Sequence, residues 1–262
     1  MNDPRPLRLP RRAEPDATPP DAIILAAGRG NRLRPLTDAL PKVLVRIGGK
    51  PLLAFHLEAL RRAGLRRVVI VVGYRSAQVR DFVGDGTPFG LDAQFVLQSE
   101  PKGTGDAVRI ARDAIHSDSM VVCYGDIFLP HETELLRRFL RDSRPKIAGA
   151  RVSNGGELGR LLTAVKEGRA VLEGLQEKDG RPTPALVNAG LYLLPRRILD
   201  IADRLPLSPR GEWELTDAVL YFATHEGEIE VVEVSPWVDI ANHDNLALAE
   251  SLARSVSPAT DA

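Results

Sequence analysis

The sequence predicts an α/β fold, Rossmann-like, with a mixed, mostly parallel sheet and helices on both faces. Three observations predict it. Short continuous apolar runs alternate with stretches of helical periodicity through the first half. The second half changes to strand-like segments, the middle two joined by a short glycine turn, which signals antiparallel pairing there. The chain has 262 residues, 44% hydrophobic and 27% charged, enough for one sizeable core.

The elements follow in order. Residues 1–20 are rich in Pro and Arg and lack an apolar centre, so they read as a disordered leader and not as a secretory signal. A single domain is expected over 21–256, with 257–262 as a tail. The run 22–27 ends in glycine and reads as a strand buried on both faces. A glycine- and arginine-rich loop covers 28–41. A helix is expected over 51–63, with Leu52, Leu53, Leu57 and Leu60 at helical spacing and Gly64 at its end. The alternation continues with strand 68–73, helix 76–83, strand 93–98, helix 104–115, strand 119–124 and helix 131–141. Strand-like segments then cover 146–152, 160–166, 170–176 and 186–194, followed by helix 214–225, strand 228–234 and helix 242–255.

Composition narrows the function classes. Lys+Arg and Asp+Glu both number 35, so no excess charge points to a nucleic-acid or membrane partner. No apolar run approaches the ~18 residues that span a bilayer. The one cysteine, Cys123, lies in an apolar run and reads as a small buried hydrophobe. No intrachain disulfide can form, which fits a reducing cytoplasm. The five histidines show no metal-ligand spacing. Oligomeric state is open, a homo-oligomer included.

Four segments carry chemistry. The loop Gly28-Arg29-Gly30-Asn31-Arg32-Leu33-Arg34-Pro35-Leu36-Thr37, closed by Pro41-Lys42, leaves the end of the first strand, where open α/β sheets bind ligands. Glycines let backbone N–H groups approach phosphate oxygens, and the cations suit a polyphosphate. The loop lacks a third glycine of the dinucleotide pattern and has no terminal Gly-Lys-Ser/Thr. The second segment is Gln98, then Gly103-Thr104-Gly105. Read alone it is a strand end, a turn and a Thr104 helix N-cap, although a Gln98 amide can also read a pyrimidine edge. The third is Tyr124-Gly125-Asp126 after an apolar strand, where the Asp either makes a turn or binds a ligand. Individually bland, Gly159-Arg160, Glu177-Lys178 and Val187-Asn188-Ala189-Gly190 make up the fourth.

Leu25-Ala26-Ala27-Gly28-x-Gly30-x-Arg32-Leu33-x-Pro35-Leu36-Thr37 with Pro41-Lys42 resembles the signature of sugar-1-phosphate nucleotidyltransferases. That family includes glucose-1-phosphate thymidylyl- and uridylyltransferases and the uridylyltransferase domain of the bifunctional N-acetylglucosamine-1-phosphate enzyme. The resemblance covers roughly residues 21–252 and implies the nucleotide-diphospho-sugar transferase type of fold. It implies an enzyme that joins a nucleoside triphosphate, UTP or dTTP preferred, to a sugar 1-phosphate and releases pyrophosphate with Mg²⁺. The N-terminal half would bind nucleotide and the C-terminal half sugar phosphate.

Carried over residue by residue, Arg32, Lys42 and Asp126 are catalytic. Leu25, Ala26, Ala27, Gly28, Gly30, Asn31, Arg32, Gln98, Gly103 and Thr104 bind the nucleotide, and Gly159, Glu177, Lys178 and Asn188 the sugar phosphate. Asp126 and Asp239, the latter in Pro236-Trp237-Val238-Asp239-Ile240, would hold the metal. The sequence departs from the family at Asn31, Asp179 and Ala241-Asn242-His243. Glu212 and Trp213 are candidates for a sugar contact. Two alternatives stand: guanylyl or cytidylyl transfer to another phosphate acceptor, or a non-catalytic nucleotide-sensing subunit. The main reading requires Asp126 and Asp239 to meet beside the Gly28–Lys42 loop.

Overall fold

The computed structural model describes residues 18–156, 158–176, 180 and 182–256. The elements are β1 (Asp21–Ala26), α1 (Leu36–Ala39), β2 (Arg46–Ile47), β3 (Lys50–Pro51), α2 (Leu52–Arg62), β4 (Arg67–Val72), α3 (Ser76–Val83), β5 (Asp92–Leu97), α4 (Thr104–Ile110), β6 (Ser119–Tyr124) and β7 (Ile127–Phe128). Then come α5 (Glu132–Phe139), β8 (Lys146–Val152), β9 (Arg160–Lys166), β10 (Arg169–Gln176), β11 (Ala185–Pro195), α6 (Arg197–Ala202), α7 (Leu215–His225), β12 (Glu230–Val234), β13 (Val238–Asp239) and α8 (His243–Val256).

One nine-stranded sheet runs in the order β5-β4-β1-β6-β11-β8-β12-β10-β9. The strands β5, β4, β1 and β6 are mutually parallel; β4, β1 and β6 are near-continuous apolar runs covered on both faces, while the edge strand β5 is broken by Gln94 and only partly buried. From β6 onward the pairing is mixed. β11 runs antiparallel to β6 and β8, and β10 runs antiparallel to β12 and β9. β8 and β12 pair in parallel. Val187 of β11 also bridges Arg160 of β9, so the last strands curl back onto β11.

Helices α2, α3 and α5 cover one face through Leu53, Leu57, Val79, Val83, Leu136 and Phe139. Helices α4, α6 and α7 cover the other through Val108, Ile198, Leu199, Leu215 and Val219. A third cluster joins Leu33 of the 28–41 loop to Phe128, Val238, Ile240 and Ala249, so loop, β7, β13 and α8 share one small core. Among the described residues no helix is long and apolar enough to cross a membrane.

The structure differs from expectation at several points. The helix expected over 104–115 ends at Ile110, and a separate 3₁₀ turn covers Arg112–Ala114. The loop 28–41 contains the 3₁₀ turn Asn31–Leu33 and the short α1. Helix α6 and the two-residue ladders β2–β3 and β7–β13 carry too few residues to show a period. Of the leader expected over 1–20, residues 1–17 lie outside the described residues, as does the tail 257–262.

Candidate active site

The Gly28–Thr37 loop leaves β1 between β4 and β6. Gly30 has φ +65, and a Cβ there would lie 3.0 Å from Lys42 Cβ and 3.1 Å from Thr37 Cγ2. Glycine thus supplies both the left-handed turn and the room for Lys42 to lie beneath the loop. The Gly30 carbonyl accepts hydrogen bonds from the Thr37 hydroxyl at 2.8 Å and the Leu33 amide at 2.9 Å. Leu33 is fully buried while Asn31, Arg32 and Arg34 stand exposed, so one apolar anchor presents a row of polar side chains. Arg32 makes no hydrogen bond or ion pair among the described residues. Gly28 is open, with nothing within 4 Å of an added Cβ. The Tyr74 hydroxyl donates to the Thr37 carbonyl at 3.1 Å, tying the loop to the turn after β4.

Lys42 is buried at 8% exposure, and its ammonium is the hub of the site. Nζ donates to Asp126 Oδ2 at 2.6 Å and lies 3.8 Å from Asp239 Oδ1. Two acidic residues 113 positions apart in the chain therefore flank one cation. Backbone pairing brings them together: Asp239 in β13 is registered against Ile127 in β7, and the Ile240 amide donates to the Asp126 carbonyl at 3.0 Å. Gly125 sets the turn that carries Asp126. Its amide donates to the Leu25 carbonyl at 3.0 Å, and a Cβ would lie 2.7 Å from that same oxygen. Only glycine lets the β6–β7 turn approach the end of β1 this closely.

A cavity of about 270 Å³ lies elsewhere, between α2 and α5, and is lined by Lys50, Phe55 and Phe128. The cavity beside the loop is larger, about 360 Å³, and is lined by Ala27, Arg29, Gly73, Tyr74, Leu97 and Gln98. Gln98 directly follows β5, its side-chain amide nitrogen donating to Asp106 Oδ2 at 2.9 Å and to the Gly103 carbonyl at 3.1 Å. Thr104 is not an N-cap. Gly103 holds that position, and the Thr104 hydroxyl instead accepts from the Leu215 amide at 3.0 Å, closing the start of α7. Glu212 and Trp213 sit against the Gly103 turn: the Gly105 amide donates to the Trp213 carbonyl at 2.7 Å.

Asn188 and Gly159 meet directly through the main chain, the Asn188 backbone N–H donating to the Gly159 carbonyl at 3.0 Å. Asn188 opens a bulge in β11. Its Oδ1 accepts from the Gly190 amide at 3.0 Å and its Nδ2 donates to the Tyr192 hydroxyl at 2.5 Å. Tyr192 in turn donates to the Tyr124 hydroxyl at 3.1 Å. Burial pushes both phenols above their ordinary values, so both stay neutral hydrogen-bonding groups. The Trp237 indole donates to the Ala189 carbonyl at 3.1 Å, fixing the segment before Asp239 to the same bulge. Glu177 and Lys178 lie outside the described residues. Cys123 is buried and its thiol is pushed well up by burial, as a small hydrophobe should be.

The sequence profile of the nucleotidyl transferase family matches residues 21–255. The chain belongs to the nucleotidyl transferase family. A glucose-1-phosphate thymidylyltransferase of Mycolicibacterium smegmatis is 33% identical over 239 residues, 89% of this chain and 82% of that protein. One from Streptomyces antibioticus is 35% identical over 225 residues, covering 84% of this chain. The chain spans 62% of the length of that Streptomyces protein. A Bacillus anthracis protein solved as a glucose-1-phosphate thymidylyltransferase superposes with a TM-score of 0.79 at 25% identity, over 92% of this chain and 97% of its own.

Neither Asp106, which meets Gln98, nor Tyr74, which lines the cavity, stands out in the sequence. Asp106 reads as an ordinary first-turn acid of a helix, and nothing in its spacing points to a partner eight residues back. The Gly103 turn gives a direct test. Gly103 has φ +100, and a Cβ would lie 2.3 Å from the Trp213 carbonyl oxygen. Gly103→Ala is expected to cost about 2–4 kcal/mol from backbone strain and the clash together. Urea unfolding measures it, and a loss under about 1 kcal/mol would mean that the turn is free to shift.

Proposed function

We propose that this nucleotidyl transferase joins the nucleoside monophosphate of UTP or dTTP to a sugar 1-phosphate and releases pyrophosphate. One observation carries this reading: the Lys42 ammonium sits between Asp126 and Asp239 directly beneath the glycine loop. The relatives named for thymidylyl transfer to glucose 1-phosphate support the same nucleotide and acceptor class. The N-terminal half takes the nucleotide through Leu25, Ala26, Ala27, Gly28, Gly30, Asn31, Arg32, Gln98, Gly103 and Thr104. The C-terminal half takes the sugar phosphate through Gly159, Glu177, Lys178 and Asn188.

The chemistry needs no protein nucleophile. An oxygen of the sugar phosphate bonds to the α-phosphorus in line while the bond to the α,β-bridging oxygen breaks, and that oxygen leaves with pyrophosphate. The protein contributes position and charge. Loop backbone N–H groups and the exposed Arg32 hold the triphosphate, and Lys42 offsets charge growing on the leaving group. Lys178 would screen the incoming phosphate dianion.

Magnesium fits the acidic pair. Among the described residues no cluster of three or more His, Cys, Asp or Glu side chains is built to cage an ion. Two carboxylates are what Mg²⁺ takes from a protein when phosphates and waters complete its shell. Asp126 and Asp239 are the residues that would hold it. When bound it neutralises phosphate charge around the reacting phosphorus. The single buried cysteine agrees with a reducing compartment, and we place the reaction in the cytoplasm.

The test is a panel of nucleoside triphosphates and sugar 1-phosphates with Mg²⁺, read by pyrophosphate release. UTP or dTTP with a hexose 1-phosphate is expected to give the fastest release. Nucleotide binding without release in every pairing would replace transfer with nucleotide sensing.

A further inference from the structure

We propose that Asp106 sets which nucleobase the site accepts, by locking the Gln98 side-chain amide in one orientation. The proposal rests on the nucleotide site proposed above. A glutamine amide has two donor hydrogens and one acceptor oxygen, and in isolation it can turn either end toward a ligand. Here both donors are committed. Nε2 donates to Asp106 Oδ2 at 2.9 Å and to the Gly103 carbonyl at 3.1 Å, and neither of those oxygens can donate back to a flipped amide. The orientation is therefore set by chemistry. Only Oε1 is left to meet a ligand, and it accepts no hydrogen bond among the described residues.

The lock is itself held on every side. Asp106 is buried at 4% exposure, and its other oxygen accepts from Arg109 Nη2 at 2.6 Å. The Arg109 guanidinium lies over the Trp213 ring, 5.1 Å from its centroid. Trp213 is pinned from behind, its amide donating to the Lys102 carbonyl at 2.9 Å. The Gln98 backbone is fixed by donation to the Val72 carbonyl at 2.8 Å. The amide thus closes one end of the cavity that Ala27, Arg29 and Tyr74 line.

A fixed acceptor discriminates between pyrimidines. Uracil and thymine present an imide N3–H, a donor that Oε1 accepts. Cytosine presents a lone pair at N3, which opposes Oε1 across the same gap. The side chain therefore selects the imide pyrimidines, and it does so because Asp106 removes the alternative amide orientation. Asp106→Asn gives the pair an amide that can donate to Gln98 Oε1, which leaves the Gly103 carbonyl as the one remaining acceptor opposing the reversed amide, so the Gln98 amide can turn over and meet cytosine.

Calorimetric binding of UTP and CTP to the full chain in Mg²⁺ reads this without needing turnover. The wild type is expected to favour UTP by about tenfold or more, the worth of one buried hydrogen-bond mismatch. Asp106→Asn is expected to bring that ratio to within a few-fold of one, chiefly by tighter CTP binding. An unchanged ratio in a folded Asp106→Asn protein overturns the role of Asp106 and leaves the nucleotide site standing. Failure of the wild type to bind either nucleotide overturns both. Should Asp106→Asn not fold, side-chain amide exchange in the wild type decides. Both Gln98 hydrogens are expected to exchange at least tenfold more slowly than those of exposed glutamines, and exchange at the free rate overturns the lock.

Discussion

Asp126→Asn is expected to lower the rate of pyrophosphate release by about 10²–10³-fold while the protein stays folded. The substitution keeps the shape of the side chain and removes its charge. Asp126 is partly exposed, so the cost to stability is small. The ammonium of Lys42 is not stranded either, because Asp239 already lies 3.8 Å away and can take it. The charge at the reacting phosphates changes while the ladder carrying it does not, since Asp126 joins that ladder through its backbone carbonyl. Turnover is measured over a magnesium titration, with thermal unfolding in parallel. Wild-type turnover in a folded Asp126→Asn protein would remove Asp126 from the mechanism.

His56→Leu is expected to destabilise the fold by about 3–5 kcal/mol, because it leaves Glu132 buried without its cationic partner. His56 on α2 and Glu132 at the start of α5 are exposed by only 1% and 3%, and His56 Nδ1 lies 2.9 Å from both carboxylate oxygens. Burial pulls the His56 value down, the Glu132 charge and hydrogen bond push it up, and the net shift is upward. Asp126 and the Ile127 backbone add smaller upward pulls. A raised native value means that the pair's contribution is complete below the unfolded value of about 6.5 and is lost as pH rises through the native one. Wild-type stability should therefore fall between neutral and mildly alkaline pH, and His56→Leu should flatten that fall. Combining His56→Leu with Glu132→Leu is expected to recover most of the loss, since no buried charge remains. Additive losses in the double variant would rule out the pair as the cause.

The sequence made the fold legible where elements are long and one-sided. The runs at Ala22, Val68 and Met120 are parallel strands because nothing polar interrupts them, and the structure buries them on both faces. The glycine turn at Gly168 marked the β9–β10 hairpin for the same local reason. Elements of two residues, such as β7 and β13, left no periodic trace. The grouping of the candidate site was legible through short motifs: Gly30, Lys42 and Asp126 are close in space as well as distinctive in order. Pairings across long separations were not. Neither the hold of Asp106 on Gln98 nor the use of the Thr104 hydroxyl by α7 follows from spacing, because each depends on how separate segments dock. The His56–Glu132 pair is hidden in two unremarkable helices for the same reason.

Asp239 is a rung of the miniature ladder formed by β7 and β13, and Asp126 directly precedes β7 and accepts from the Ile240 amide, so main-chain geometry gauges the gap between them. A chain interrupted ahead of Val238 would retain every strand of the large sheet yet possess half of its acidic clasp. If the proposed function holds, grip on a nucleotide and the capacity to turn it over would be separable properties of this architecture, the second assembled last along the polypeptide.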